Sequence, residues 1–145
     1  MRVRRLEAAD ADLGETLVRT FKGTAAPEVS AGIRRFLSDP DNVLLVAEAG
    51  GQPAGFLVAY VLDRVDRDRP MVCLYEIEVA ASRRRQGVGA ALVAALKALC
   101  RGRAVMKIWV IASRSNTAAM RLYEAAGARP GAGPDDVVLV WSPVD

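Results

Sequence analysis

The segment whose residue types most clearly suggest chemistry spans residues 84–90 and reads Arg-Arg-Gln-Gly-Val-Gly-Ala. Gly87 and Gly89 have no Cβ, so a ligand could approach the backbone closely there. A strand-like run precedes the segment and an alanine- and leucine-rich helical pattern follows it, which places the glycines at a predicted helix N-terminus. The unpaired N–H groups and the dipole of such an end favour phosphate. We therefore expect a phosphorylated ligand here, with arginines 83–85 adding positive charge.

The spacing of these glycines differs from the two best-known phosphate motifs. It is neither the P-loop pattern G-x-x-x-x-G-K-[ST] nor the dinucleotide fingerprint G-x-G-x-x-G. Taken alone, R-x-x-G-x-G also fits an ordinary helix start with arginines on the surface. The segment therefore needs a second motif before it identifies a ligand.

The residues that are missing exclude several kinds of site. The chain has no histidine and two cysteines, Cys73 and Cys100. Without histidine there can be no Ser-His-Asp or Cys-His catalysis and no His-ligated metal or haem. Two cysteines form neither a Cys₄ zinc site nor a disulfide framework, and both lie in apolar surroundings typical of core residues. We expect no metal site.

Size and charge indicate one domain, covering residues 1–145. The chain has 145 residues, of which 52% are hydrophobic, and this is enough for a single core. Twenty basic against seventeen acidic residues give a net charge of +3, which is not the dense basic face of a nucleic-acid binder. The N-terminus lacks a secretory signal, and no apolar stretch reaches the roughly 18 residues of a membrane span. We expect a cytoplasmic protein with no nucleic-acid or membrane partner.

The hydrophobic pattern predicts an α/β (α+β) domain with a mixed sheet and the order β-α-α-β-β-β-α-β-α-β. Strands are predicted over residues 3–7, 43–49, 54–62, Met71–Val79, 104–112 and 136–142. One helix has Asp10 as its N-cap and ends at Gly23, and others begin at Pro27 and Gly87. The last helix covers residues 115–126. Residues 63–70 alternate in charge and form a polar connection.

A second motif lies in the last predicted helix. Residues 115–128 read Ser-Asn-Thr-Ala-Ala-Met-Arg-Leu-Tyr-Glu-Ala-Ala-Gly-Ala and fit the pattern N-x-x-A-x-x-[LF]-Y-x-x-x-G. Together with residues 76–79 and 84–90, this motif resembles the GCN5-related N-acetyltransferase (GNAT) family, over nearly the whole chain. The resemblance implies the GNAT acyl-CoA N-acyltransferase fold. It also implies an enzyme that moves an acetyl group from acetyl-CoA directly to a primary amine of a small molecule.

The resemblance assigns acetyl-CoA to two stretches of backbone. N–H groups of residues 86–90 would hold the pyrophosphate, and the strand around Ile77 and Val79 would hydrogen-bond the pantetheine as if it were an added strand. The N–H near Val79 would also polarise the thioester carbonyl, an oxyanion-hole role. Asn116 would contact the cofactor arm. The cofactor-binding residues predicted in this way are Ile77, Val79, Arg84, Arg85, Gln86, Gly87, Val88, Gly89, Ala90 and Asn116.

The reaction requires the amine to lose a proton and the departing thiolate to gain one. Tyr123 matches the usual general acid of the family, although a tyrosine packed between helix and sheet is an alternative. Since histidine is absent, the base would be Glu76 first, Glu78 second, or a bound water. In a regular strand these carboxylates share one face, and Ile77 and Val79 share the other. Their burial is costly unless they are paired, so an ion pair with an arginine is the alternative for each.

Within the family, residues 59–62, 75–79 and 84–87 are most similar to the gentamicin-type aminoglycoside 3-N-acetyltransferases. Two departures stand out. Glu76 occurs where those enzymes tend to have aspartate, and residues 114–116 read Arg-Ser-Asn where they tend to have an acidic pair. The resemblance implies an aminoglycoside acceptor and antibiotic resistance. The alternatives are another amine (a polyamine, an amino acid or a protein N-terminus) or a non-catalytic acyl-CoA-binding module.

A polycationic acceptor would need a cluster of carboxylates. The candidates are Asp63, Asp66, Asp68, Glu76, Glu78, Asp135 and Asp136. The first three alternate with arginines and also fit a solvated loop, and the last two also fit a turn. Residues 137–141 could pair across a two-fold axis, so a homodimer is a further expectation. Trp109 and Trp141 fit a core or dimer contact better than a platform for bases.

Overall fold

The computed structural model describes residues 1–23 and 27–131, together with Gly133, Leu139 and Ser142. Several sequence predictions fall outside this part of the chain. They are nearly all of the strand over residues 136–142, the carboxylates Asp135 and Asp136, and Trp141. Within the described part, none of the helices combines the length and the hydropathy that a membrane crossing requires.

The described residues form one five-stranded mixed sheet, as predicted, with its strands in chain order. The strands are β1 (Arg2–Arg5), β2 (Asn42–Ala49), β3 (Gln52–Leu62), β4 (Met71–Val79) and β5 (Lys107–Trp109). The first four pair antiparallel, and β5 pairs parallel to β4. A parallel pair needs a long crossover, and the chain between β4 and β5 supplies it as a helix.

Helices cover both faces of this sheet. They are α1 (Ala11–Lys22), α2 (Pro27–Ser38), α3 (Val88–Gly102) and α4 (Thr117–Ala125), with short 3₁₀ helices at Ala8–Asp10 and Ala81–Arg83. One buried cluster joins α1 and α2 to the sheet through residues such as Leu17, Leu37 and Phe56. The other joins α3 to the opposite face through Leu92 and Leu96, with α4 packed beside it. The sheet is therefore the middle layer of three.

The apolar runs of the sequence follow from this layering. Along β2, Leu44 and Val46 enter the cluster under α1 and α2, whereas Val43, Leu45 and Ala47 enter the cluster under α3. Side chains alternate between faces in a strand, and here both faces are covered. Consecutive apolar residues are therefore required, and the pattern does not alternate with polar ones.

Two predicted elements differ in extent from the structure. The strand predicted over residues 104–112 is limited to Lys107–Trp109, because Ala104 adopts a positive φ of 52° in a turn and the ladder with β4 ends at Trp109. The last helix starts at Thr117, not at residue 115. Asn116 precedes it as the N-cap, and its side chain accepts a hydrogen bond from the Ala119 N–H at 3.1 Å.

Asp10 occupies the N-cap position of α1, as predicted, but its side chain does not cap that helix. Its carboxylate instead accepts the Glu7 N–H at 2.9 Å and pairs with Arg4 at 2.9 Å. These two partners hold the pKa of Asp10 below its usual value, the backbone hydrogen bond being the larger cause. Asp10 therefore anchors the entry to α1, and Gly23 ends that helix in the left-handed conformation, as predicted.

Candidate active site

A β-bulge in β4 determines where its carboxylates point. Val58 pairs with Glu76, but the next residue of β3 pairs with Leu74, so Tyr75 is the extra residue. In an unbroken strand Leu74 would share a face with Glu76 and Glu78. The bulge instead leaves Leu74 in the core under α3, whereas Glu76 and Glu78 face α1 beside their cross-strand partners.

The partner of these carboxylates is a lysine that sequence reasoning missed. The Lys22 ammonium, at the end of α1, contacts Glu76 Oε1 and lies 2.9 Å from Glu78 Oε1. It also lies 5.8 Å from the centroid of the Phe56 ring, within cation–π range. The three charged side chains are 24–38% exposed and together carry one net negative charge. Both carboxylates therefore make an ion pair, as in the alternative interpretation, but their partner is Lys22 where that interpretation had an arginine.

A cavity of about 180 Å³ opens beside this cluster, between the sheet and helices α1 and α2. Its walls include Leu17, Lys22, Phe36, Tyr60, Tyr75 and Glu76. The rings of Tyr60 and Tyr75 meet edge to face at 5.5 Å, and Phe36 meets Tyr60 at 5.7 Å. Burial raises the pKa of Tyr60 and keeps its hydroxyl protonated. The cavity thus combines an aromatic wall with one charged edge.

Beyond this cluster, β4 and β5 separate. Their ladder stops at the pair Cys73 and Trp109, so that edge of β4 has no strand partner further along in the described part of the chain. The Ala80 N–H donates to Ala54 O at 2.9 Å, towards β3. Because N–H groups alternate in direction along a strand, those of Ile77 and Val79 point to the open edge. Both residues thus offer backbone donors and acceptors to a ligand in the gap.

The turn before α3 presents N–H groups in a second place. Gly87 has φ of +80° and precedes the helix, and Arg85 also has a positive φ of 57°. The first N–H groups of α3 have no acceptor four residues earlier. Gln86 Nε2 donates to Ser82 O at 2.9 Å and holds the turn. Left-handed backbone at a non-glycine residue such as Arg85 is costly, and in proteins such strain concentrates at ligand sites.

Gly89 has a different function from Gly87. A Cβ on Gly89 would lie 3.1 Å from Leu122 Cδ2, whereas a Cβ on Gly87 would meet nothing within 4 Å. Gly89 therefore makes room for α4, and its predicted role in cofactor binding stays a prediction beside this packing role. Gly55, which sequence reasoning missed, acts similarly. Its Cβ would lie 2.7 Å from Glu78 O and 3.0 Å from Val88 Cγ1, so Gly55 lets the start of α3 approach the end of β4.

Tyr123 lies in α4, half-buried, on the opposite side of the sheet from Glu76. It lines a second cavity of about 190 Å³, together with Leu74 of β4 and Trp109 of β5. Burial raises the pKa of the Tyr123 hydroxyl, which therefore stays protonated at neutral pH. Because Leu74 and Trp109 flank the point where the strands separate, Tyr123 faces the gap from one side and the carboxylate cluster lies on the other.

Comparison with known proteins now identifies the family. The model of the acetyltransferase (GNAT) family matches residues 11–128. The chain belongs to the GNAT family. The predicted GNAT fold is therefore confirmed, and this GNAT protein is an N-acetyltransferase that uses acetyl-CoA. No curated protein sequence matches the chain.

Solved structures agree with this GNAT fold. An aminoglycoside acetyltransferase, HMB0005, from an uncultured soil metagenomic sample is 28% identical, with 96% of this chain and 98% of that chain covered and a TM-score of 0.79. The aminoglycoside N-acetyltransferase AAC(6')-Iy in complex with CoA is 21% identical, with coverage of 98% and 94% and a TM-score of 0.79. A ribosomal-protein-alanine N-acetyltransferase from Brucella melitensis biovar Abortus 2308 is 21% identical, with coverage of 97% and 100% and a TM-score of 0.77.

Two features of this GNAT structure fit acetyl-CoA. The turn at Gly87 offers backbone donors beside the exposed side chains of Arg84 and Arg85, which suits a diphosphate. The open edge at Ile77 and Val79 offers the alternating donors and acceptors that an amide-containing arm needs.

Asn116 and the carboxylates of residues 63–68 line neither of the two described cavities. Asn116 is exposed and uses its side-chain oxygen to cap α4. Asp66 pairs with Arg64 at 2.6 Å, and that hydrogen bond lowers the pKa of Asp66. Asp63 and Asp68 are exposed in the same loop and do not line the described cavities. In the GNAT structure this segment is therefore the solvated loop of the alternative interpretation.

Proposed function

We propose that this GNAT enzyme acetylates a primary amine of an aminoglycoside antibiotic, at its 3-amino group, and thereby confers resistance. The observation that carries the proposal is the pair of carboxylates on β4, Glu76 and Glu78, which share the Lys22 ammonium, with Glu76 lining a cavity near the point where β4 and β5 separate. Carboxylates attract and orient ammonium groups. Two structural neighbours that are aminoglycoside acetyltransferases support the acceptor class.

In this proposal the main chain holds the cosubstrate. N–H groups of residues 86–90 receive the pyrophosphate, with charge from Arg84 and Arg85. The edge groups of Ile77 and Val79 hydrogen-bond the pantetheine, and the N–H near Val79 stabilises the charge that develops on the carbonyl oxygen. When bound, acetyl-CoA supplies an acetyl group activated as a thioester.

Side chains on the two sides of the gap then move the protons. Glu76, which lines the cavity, takes the proton of the incoming ammonium directly or through water, and Glu78 is the second candidate for this role. Attack of the neutral amine on the carbonyl carbon forms the C–N bond, and Tyr123 donates its hydroxyl proton to the departing thiolate from the opposite side as the C–S bond breaks. The nitrogen releases its second proton to solvent, and the tyrosine regains a proton from solvent. The raised pKa of Tyr123 keeps that proton in place until it is needed.

One observation favours a second acceptor class. The cavity wall is largely apolar and aromatic, and Lys22 reduces the charge of the carboxylate pair to one net negative. This suits an amine with a single positive charge and an apolar body, such as an amino acid or a peptide N-terminus. The ribosomal-protein-alanine N-acetyltransferase among the structural neighbours has the same fold.

A thiol-release assay with acetyl-CoA and a panel of amines separates these acceptors. The panel contains gentamicin, kanamycin, spermidine and short peptides. We expect turnover with an aminoglycoside, acetylation of its 3-amino group in the product by NMR, and growth of a susceptible bacterial strain in its presence when the protein is expressed. Turnover of peptides or spermidine without any aminoglycoside turnover would reject the proposed acceptor and favour the second class.

The role of Glu76 is tested with the best acceptor from that panel. Glu76→Gln should lower kcat/KM by about a hundredfold or more, the usual range for a general base, and most strongly at low pH, where the amine is protonated. Asp63→Asn removes an exposed carboxylate away from the cavity and serves as the control. Equal activity of Glu76→Gln and wild type at all pH values would exclude Glu76 as base.

A further inference from the structure

We propose that Lys22 is a tethered counter-ion, which occupies the ammonium position formed by Glu76 and Glu78 and must be displaced by the acceptor amine. The inference rests on the proposed function, because it takes the carboxylate pair as the place where the acceptor binds. It adds a residue on α1 that sets the affinity and selectivity of that place.

The Lys22 side chain ends in the same functional group as the acceptor, a primary ammonium. A lysine ends in a primary ammonium with three N–H donors on an aliphatic stem, as a protonated primary amine does. The Lys22 ammonium contacts Glu76 Oε1, lies 2.9 Å from Glu78 Oε1, and sits 5.8 Å from the Phe56 ring centroid. Carboxylates and aromatic faces are the groups that bind an ammonium in proteins. The same groups are therefore suited to the ammonium of an external primary amine.

The position of Lys22 allows it to leave. It is the last residue of α1, it is followed by Gly23 in the left-handed conformation, and its side chain is 38% exposed. The lysine stem has four flexible carbons, and a partly exposed ion pair adds little net stability. Moving the ammonium into solvent therefore costs little. Lys22 and Glu76 also line the same cavity, so an amine that enters the cavity meets both.

Competition follows from these two points. If Lys22 occupies the carboxylate pair for nine-tenths of the time, the apparent affinity for an external amine falls about tenfold. A weakly charged acceptor would fail to displace Lys22, whereas one with a strong second contact in the cavity would succeed. Lys22 would thus select acceptors that use the aromatic wall as well as the carboxylates.

The test measures binding without acetyl transfer, so that it stands apart from the identity of the acceptor. Calorimetric titration with n-butylammonium probes the ammonium site, and n-butanol probes the cavity without a charge. Lys22→Met keeps the stem and removes the charge, Lys22→Arg keeps the charge, and Lys107→Met removes an exposed lysine of β5 away from the cluster. Thermal unfolding confirms that each variant is folded.

We expect Lys22→Met to bind n-butylammonium about tenfold more tightly than wild type, following the occupancy argument above. Lys22→Arg and Lys107→Met should bind it no more tightly than wild type, and n-butanol should not distinguish Lys22→Met from wild type. Equal or weaker n-butylammonium binding by a folded Lys22→Met would overturn the proposal, since Lys22 would then only organise the carboxylates. A failure of the aminoglycoside assay with tighter binding by Lys22→Met would reject the acceptor class alone.

Discussion

In the proposed function, acetyl-CoA and the acceptor are recognised by different means. Acetyl-CoA is held by backbone groups, at the turn at Gly87 and along the open edge at Ile77 and Val79. The acceptor is bound by side chains under α1 and α2, in the cluster of Lys22 with the two carboxylates of β4. Backbone recognition depends on the path of the chain and on a few glycines. Side-chain recognition depends on residues far apart in sequence.

This difference explains how one fold can retain one cosubstrate while the acceptor varies. Two solved structures with the same fold, each 21% identical to this chain, are an aminoglycoside N-acetyltransferase and a ribosomal-protein-alanine N-acetyltransferase. In the proposed function, a change of acceptor would require new side chains under α1 and α2, and the backbone groups that hold acetyl-CoA would stay unchanged. Function on a shared fold is set by such sites.

The largest expected effect on turnover comes from Tyr123, which lines the cavity between α4 and the sheet. Tyr123→Phe should lower kcat by about a hundredfold or more and leave the KM for acetyl-CoA nearly unchanged, because only proton donation is removed. Since burial raises the pKa of Tyr123, wild-type activity should persist through neutral pH and decline only above about pH 10.

The pH–rate profile of Tyr123→Phe is the measurement that decides this role. The variant should lack the alkaline decline that we attribute to loss of the phenolic proton. A variant with wild-type kcat across the whole pH range would show that Tyr123 is a packing residue between α4 and the sheet.

The second-largest effect tests whether the turn at Gly87 holds acetyl-CoA. Gly87→Val places a β-branched residue at φ of +80°, where an L-residue costs roughly 1–2 kcal/mol, so the turn should rearrange and acetyl-CoA affinity should fall by about tenfold or more. The readout is the rise in melting temperature on titration with acetyl-CoA. Gly102→Ala, at a glycine without a positive φ and with open space around it, is the matched control. Equal stabilisation of Gly87→Val and wild type would show that this turn does not hold the ligand.

The third effect measures the packing role of Gly89, separately from ligand binding at the neighbouring turn. Gly89→Ala should destabilise the protein by about 1–3 kcal/mol, because the new methyl group lies 3.1 Å from Leu122 Cδ2. Combining it with Leu122→Ala should cost less than the sum of the two single changes, which denaturant unfolding can measure. Additive losses in the double variant would contradict the assignment of Gly89 to the contact between α3 and α4.

The smallest effect concerns the entry to α1, which carries Lys22. Asp10→Asn should destabilise the protein by roughly 0.5–1 kcal/mol at pH 7, through loss of its charged contacts with Arg4 and the Glu7 N–H. The pKa of Asp10 is lowered in the folded state, so its contribution is present above the unfolded value near 3.8 and is lost as the pH falls through the folded value. The difference should therefore vanish in acid, whereas Asp12→Asn, at an exposed carboxylate, should destabilise the protein less at pH 7.

Sequence reasoning reached the features that depend on local backbone preference. Strand β4 has its predicted bounds, α1 ends at Gly23, and the turn before α3 falls at Gly87. Sequence reasoning did not reach the features that depend on packing between residues far apart in the chain. The bulge at Tyr75 turns Glu76 towards Lys22, which lies in a different element. A local pattern of alternating residues carries no information about such a contact.

The most direct test of the central claim is an NMR titration of ¹⁵N-labelled protein with acetyl-CoA. We predict that the largest amide shifts occur at residues 86–90 and at Ile77 and Val79, and that Glu76 and Lys22 respond when a primary amine is added to that complex. The contradicting result is large amide shifts elsewhere while the amide signals of residues 86–90 do not move at saturation. Backbone groups at the turn before α3 would then not hold acetyl-CoA.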